Sequence, residues 1–139
     1  LERHGLTHAD VQTARRLMVL QFWRNTGPAQ PDYPLAFCAA DGVGPDRVVR
    51  EMLPEYGGLR VDSQFYAVRP PSRDDSDRWY TFPDLTTSEV VALRTYDSRC
   101  IDEGRPFWTP HSAFRDPNVG NDAKQYRESV EMRVPCIWR

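Results

Sequence analysis

No run of eighteen or more apolar residues occurs in this chain, and its amino terminus carries no charged-then-apolar leader pattern. A membrane-spanning helix and a secretory signal are therefore not expected, which points to a soluble, cytoplasmic protein with no membrane partner. An excess of one charge is also missing. Eighteen Lys and Arg stand against twenty Asp and Glu, a formal net charge of −2, so there is no basic footprint for nucleic acid. Cysteine is scarce, with only Cys38, Cys100 and Cys136 and no C-x-x-C pair. An odd, scattered set argues against a disulfide framework and for buried, inert thiols in a reducing compartment.

What is present is enough for one domain over residues 1–139, since 40% of residues are hydrophobic and 12% aromatic. The first residue is Leu rather than Met, as expected where upstream residues have been removed. Twelve prolines and eight glycines imply many turns and short elements, more like a β-rich fold than a helical bundle.

The stretch "LRVDSQFYAV" alternates Leu59, Val61, Phe65 and Ala67 with polar residues, the period of a strand. "RPPSRDDSDR" (Arg69 to Arg78) reads as a surface loop, and "RWYTF" after it as a short strand. In "LTTSEVVALRTYDSR", Thr86 and Glu89 form a capping box and Leu85 with Val90 a hydrophobic staple, so the pattern predicts a helix. "GPDRVVREML", with Pro45 at its first turn and Val48, Val49, Met52 and Leu53 inward, predicts a weaker helix. The last segment, "YRESVEMRVPCIWR", alternates again. Val130, Met132, Val134, Cys136 and Trp138 share one face, expected to be core, and Arg127, Ser129, Glu131 and Arg133 share the other. Arg127 and Ser129 side by side suit a carboxylate, which takes a guanidinium fork and a hydroxyl; on spacing alone a solvated outer face serves as well.

His8-x-Asp10, the distant His111 and Arg127-x-Ser129 supply, in order, the residue types of a non-haem iron site that uses 2-oxoglutarate. Yet Thr7 fits an N-cap, Asp10 the third helical position, and Leu6 with Val11 a staple. In a strand, residues two apart point the same way and can chelate one ion. In a helix they diverge by about 200°. The helical reading is preferred, so His8 and Asp10 are not expected to be ligands.

Several stretches together, "FWRNTGP", "YPLAFCAAD", "RWYTFPDLTTSEVVALRTYDSR", "PHSAFRDP" and "RESVEMR", resemble the AsaB-like hydroxylase/desaturase family, which includes CmcJ-type proteins and gibberellin desaturases. The resemblance runs from about Phe22 to the C-terminus. It implies secondary-metabolite tailoring with Fe(II) and 2-oxoglutarate on a double-stranded β-helix. By position it makes His111 the distal metal histidine and Arg127 with Ser129 the co-substrate carboxylate site. Trp23 and Arg24 match a Trp-Arg-Pro stretch in which Asn25 here replaces the Pro. Trp79, Tyr80 and Asp97 to Arg99 match motif residues near the pocket. In the family the metal-binding His-x-Asp lies on a strand well upstream, with a helix between, so residues 7–16 correspond to that helix.

The expected fold is mainly β (α+β), a partial double-stranded β-helix, jelly-roll-like, with two or three short helices. One imidazole cannot hold a two-His, one-carboxylate iron centre. The first expectation is accordingly a cofactor-free enzyme cyclising or isomerising a natural product, a Diels–Alder step included. It would use Arg24, Tyr80, His111 and Arg127 as catalytic donors, and Trp23, Trp79, Asp97, Arg99 and Ser129 as substrate-binding groups. The alternative is a Fe(II)/2-oxoglutarate oxygenase using His111, Arg127 and Ser129 with a His-x-Asp that is either His8 and Asp10 or lies upstream of Leu1, and a third reading is a non-catalytic binding subunit. A shortened barrel leaves bare sheet edges, so a homodimer is expected.

Overall fold

The computed structural model describes residues 5–55, 62–71, 77–117 and 126–139. Leu59 and Val61 of the predicted strand and 72–76 of the predicted loop lie outside the described residues. Among the described residues no helix is long and apolar enough to cross a membrane.

Strand β1 (Arg16–Asn25) is the centre of one antiparallel sheet, with β6 (Val91–Asp97) on one side and β8 (Ser129–Trp138) on the other. A second three-stranded sheet places β2 (Leu35–Cys38) between β5 (Trp79–Thr81) and β7 (His111–Ala113). Strands β3 (Val48–Leu53) and β4 (Ser63–Val68) form a separate antiparallel pair. Among the described residues there are two five-residue α-helices, α1 (His8–Gln12) and α2 (Ser98–Asp102).

The two larger sheets pack face to face through Trp23 and Leu93 of one and Phe37 of the other, with Leu35, Leu85 and Val91 around them. Each such side chain is worth about 1.5–3 kcal/mol on burial. Period two then assigns every neighbour. Trp23 pairs with Glu131 and Gln21 with Arg133, so Gln21, Asn25, Ser129, Glu131 and Arg133 share the inner face with Trp23. Phe22 pairs with Met132 and Leu20 with Val134 on the outer face.

This inverts the expectation for the last strand. Its alternation is real, but the Val130 and Met132 face is outward, 56% and 60% exposed, and the polar face is the one on the side of Trp23 and Gln21, with the Glu131 and Arg133 side chains themselves 47% and 61% exposed. The reason is that the space between the sheets is not filled with apolar side chains throughout. Gln21, fully buried on β1, donates from Nε2 to Glu131 Oε2 at 2.6 Å and accepts from Arg133 Nε at 3.2 Å, which satisfies an inner face of polar groups.

Two predicted helices are strands. The Thr86 box does form: Glu89 Oε2 accepts from the Thr86 N–H and hydroxyl, both at 2.8 Å. It closes a turn only, because the β-branched residues after it pair with β1 instead of continuing a helix. In "GPDRVVREML" a single 3-10 turn, Pro45–Arg47, leads directly into β3, whose partner β4 supplies the ladder. By contrast α1 forms as expected. Thr7 Oγ1 accepts from the Asp10 N–H at 3.2 Å while Asp10 Oδ2 accepts from the Thr7 N–H at 2.8 Å.

Candidate functional site

A cleft of about 580 Å³ opens between β4 and the β5–β2–β7 sheet, lined by Tyr66, Val68, Trp79, Trp108, Pro110 and His111 among others. Its walls are aromatic for a local reason. Phe107 and Trp108 stack with ring centroids 6.2 Å apart, and Tyr66 meets both, at 5.4 and 5.9 Å. Backbone bonds place this segment: Thr109 N–H donates to Arg94 C=O at 2.7 Å, and Pro110 C=O accepts from Cys38 N–H at 2.8 Å.

His111 opens β7 opposite Phe37, and Tyr80 stands opposite Phe37 on its other side. All three therefore share one face of the sheet, the face that meets Trp23. The His111 and Phe37 rings lie 6.3 Å apart. His111 Nδ1 is 2.9 Å from Thr109 C=O. A carbonyl only accepts, so Nδ1 carries the proton and a neutral ring presents Nε2 as a bare lone pair. That is the form in which an imidazole acts as a base or binds a metal, its other nitrogen held by a backbone carbonyl.

Arg127 enters from the other sheet. Its guanidinium carbon lies 6.0 Å from the centre of the Trp23 ring, and its backbone N–H donates to Asp32 Oδ1 at 3.2 Å. Among the described residues no carboxylate pairs with that guanidinium. Ser129 comes next on the same face, paired across the sheet with Asn25. Asn25 is itself nearly inaccessible, its Nδ2 donating to Pro28 C=O at 2.8 Å and Leu85 C=O at 3.1 Å. The Asn that stands where the resemblance has Pro thus ties the end of β1 to two loops.

The expected residues divide cleanly. Trp23, Tyr80, His111, Arg127 and Ser129 belong to the facing surfaces of the two sheets, and Trp79 lines the cleft beside His111. Arg24, Asp97 and Arg99 are not brought to it. Arg24 is on the outer face, its Nε donating to Thr87 C=O at 2.5 Å, where it braces the capping-box turn. Asp97 is fully buried at the β6–α2 junction and accepts from Arg16 (Nη2 to Oδ2, 2.6 Å), Arg94 and the Cys100 thiol. Arg16 beside it holds its carboxyl far below the usual range, against the opposing effect of burial. Arg99 is exposed and pairs with Glu103 at 2.8 Å.

His8 and Asp10 lie on α1, and Asp10 is bonded to Thr7 and paired with Arg139 at 3.1 Å. Among the described residues no three His, Cys, Asp or Glu side chains are grouped to hold a metal ion. His111 fits one vertex of an iron centre, and Arg127 with Ser129 fits a carboxylate anchor. The second histidine and the carboxylate ligand are not among the described residues.

Two groups in the cleft escaped the sequence reading. Trp108 had a signal, an aromatic pair between prolines just before His111. Arg47 and Asp77 had none, being thirty positions apart. Arg47 grips Asp77 through both nitrogens, at 2.6 and 2.7 Å, and also donates to Arg69 C=O at 2.8 Å. The guanidinium keeps the Asp77 carboxyl below its ordinary value. This pair fastens the start of β3 to the end of β4 and to the approach of β5, and so sets the cleft's width.

A family profile described as the oxidoreductase/YMDC permease-like domain matches residues 1–137. The hydroxylase/desaturase CTB9 of Cercospora beticola is 26% identical over 136 residues, 91% of this chain and 40% of its own length. Aspirochlorine biosynthesis protein N of Aspergillus oryzae is 31% identical over 137 residues, 94% of this chain and 52% of its own. The solved structure of the iron and alpha-ketoglutarate-dependent endoperoxidase NvfI superposes with a TM-score of 0.68 at 25% identity, over 97% of this chain and 47% of that one. The mainly-β, jelly-roll-like fold expected from the sequence is therefore the fold observed, and the resemblance to hydroxylase/desaturase proteins holds. The chain spans about half the length of these relatives.

Proposed function

The chain belongs to the oxidoreductase/YMDC permease-like domain family, and from that premise we propose that it works in oxidative tailoring of a natural product, as part of a Fe(II)/2-oxoglutarate hydroxylase or desaturase site. The observation that carries this reading is the state of His111. With Nδ1–H held by Thr109 C=O, Nε2 is the free ligand atom. It shares the facing surfaces of the two sheets with Arg127, whose guanidinium has no carboxylate partner among the described residues. Bound iron, with 2-oxoglutarate and dioxygen, would supply the oxidising power for an unactivated C–H bond.

This chain's own residues do the rest. Arg127 offers a planar fork of donors to a carboxylate, and Ser129 a hydroxyl beside it. The face of Trp23 holds the guanidinium in place. Trp79, Trp108 and Tyr66 present flat apolar surface to a substrate ring and displace water from it, which strengthens every charge interaction inside. Tyr80, beside Phe37, is the hydroxyl available to a substrate carbonyl.

The second reading, favoured by the hydrogen bond that leaves His111 Nε2 as the acceptor of a neutral ring, is a cofactor-free cyclisation or isomerisation in the same cleft. There His111 Nε2 would take a proton from carbon next to a carbonyl, and the electron pair would move to an oxygen held by Arg127 or Tyr80. The proton would return from His111 at a second carbon, so atoms balance without an oxidant.

The discriminating experiment loads the full polypeptide anaerobically with Fe(II), adds 2-oxoglutarate and oxygen, and measures succinate. One iron per chain and succinate release, both lost in His111→Ala, is the expected result. Substrate turnover that persists in chelator, with no succinate, overturns the oxygenase reading in favour of the second.

A further inference from the structure

The residues between α2 and β7 carry part of the aromatic wall of the cleft and the carbonyl that meets His111. Residues 105–109 form neither helix nor strand, so their backbone groups must find partners outside a ladder. β6 and α2 supply them. Arg105 N–H donates to Cys100 C=O at 2.8 Å, and Thr109 N–H donates to Arg94 C=O at 2.7 Å. Arg94 Nη2 donates to Pro106 C=O at 2.9 Å. Tyr96 meets the Phe107 ring edge-on, with centroids 6.4 Å apart. Arg94 thus grips the segment twice, by its side chain before Phe107 and by its main chain after Trp108.

Arg94 is itself aimed by buried groups. Its Nη1 donates to Asp97 Oδ2 and to the Cys100 sulfur, both at 3.3 Å. The Cys100 thiol donates to the same Oδ2 at 3.4 Å, and both Asp97 and Cys100 are shut off from solvent. Arg94 Nε is buried without a partner among the described residues, so the two Nη nitrogens orient the fork. A bonded network of this kind holds one geometry where an isolated contact would allow several.

We infer that Arg94 is a positioning residue for His111 and for the aromatic wall, acting through Pro106 and Thr109, with Asp97 and Cys100 fixing its fork. The chain of contacts is short. Arg94 sets residues 106–109, Thr109 C=O holds His111 Nδ1, and that bond selects the ring nitrogen that stays free. The same two grips determine where Trp108 stands against Tyr66. Asp97 and Cys100 thereby serve a cleft that their own side chains do not enter. The inference rests on the reading of His111 as the working group of the cleft, but it concerns how the ring is set and not which reaction follows.

The test is nitrogen-15 NMR of His111 in the metal-free full polypeptide, at a pH where the ring is neutral. Arg94→Met removes the fork and keeps an apolar stem. The Nε2–H form of His111 should then rise about two- to tenfold, as when one neutral hydrogen bond is lost. Arg94→Lys keeps the charge beside Asp97 but cannot fork between Asp97 and Pro106. It should move the ratio in the same direction with less loss of stability. Arg16→Met is the control, since it strips Asp97 of its two shortest bonds without touching residues 105–109. It should lower the melting temperature and leave the tautomer ratio at the wild-type value. A ratio unchanged in both Arg94 variants, or shifted as much in Arg16→Met, overturns the inference. No iron, 2-oxoglutarate or substrate enters the measurement, so its outcome is independent of the succinate test of the reaction.

Discussion

Arg16 holds Asp97 with two arms of its guanidinium, Nε to Oδ1 at 3.0 Å and Nη2 to Oδ2 at 2.6 Å, at a carboxylate with no exposed surface. The residue matched to a pocket motif in the sequence is therefore a fastener between β1, β6 and α2. Its carboxylate is turned to Arg16 rather than capping α2, whose first turn has no side-chain cap.

Replacing Asp97 by Asn leaves Arg16 and Arg94 facing a neutral group, and breaking such a pair costs about 3–5 kcal/mol. In melting temperature that is a drop of about 10–20 °C. The pH dependence has a definite sign. Because the folded-state pKa is depressed, the ionised carboxylate's contribution is complete above the ordinary value of about 4 and is lost as pH falls below it. Melting curves from pH 7 to pH 2 should show wild type converging on Asp97→Asn. A gap of constant size over that range would refute the assignment.

The His111 tautomer is directly observable. Nitrogen-15 NMR of the neutral ring should show the proton on Nδ1, as the 2.9 Å contact with Thr109 C=O requires. A dominant Nε2–H form would leave the cleft without a ligand atom and remove the basis for both catalytic readings.

Arg127→Ala should weaken 2-oxoglutarate binding by roughly 10- to 150-fold, the effect of about 1.5–3 kcal/mol lost from a charge-assisted bond. Its melting temperature should move little, since the guanidinium rests on Trp23 without an ion-pair partner among the described residues. Arg127→Lys should rescue poorly, because an ammonium lacks the planar fork. Calorimetry on the two variants decides, and unchanged affinity in Arg127→Ala contradicts the anchor role.

Arg47→Ala should destabilise by about 3 kcal/mol, since it strands the nearly buried Asp77 carboxylate and the Arg69 carbonyl. Arg47→Met combined with Asp77→Leu should recover most of the loss, as buried pairs replaced together usually do. Urea unfolding of the three variants measures the coupling. Additive losses would mean that the pair does not act as a unit.

Local chemistry was legible where the deciding contacts are local. Thr7 and Asp10 are three residues apart and their box forms as read, with the Asp10 carboxylate turned to Thr7. The Thr86–Glu89 box is equally local and equally real, but the conformation of Val91 to Asp97 is decided by β1, some seventy positions away. Alternation in the last strand was legible too, though not its direction. An inner face built of Gln21, Glu131 and Arg133 breaks the rule that apolar means inside, and functional cavities are where that rule yields. His111, Arg127 and Ser129 were singled out by residue type and order. Arg47 and Asp77 were invisible because an ion pair between distant surface-type residues leaves no pattern.

The pairing of β1 sets a schedule for synthesis. Gln21 on β1 finds Glu131 on β8 110 residues later, and Arg16 finds Asp97 81 residues later. At roughly 5–20 residues per second, β1 waits on the order of 5–20 s on the ribosome for its last neighbour. Until β6 emerges, Leu17, Val19, Leu20 and Phe22 form an apolar strand with an open ladder on both sides, while among the described strands the β3–β4 pair closes from nearby sequence. The nascent chain is thus most exposed to aggregation early and throughout elongation, and a chaperone that binds residues 16–25 would act on the step that limits yield.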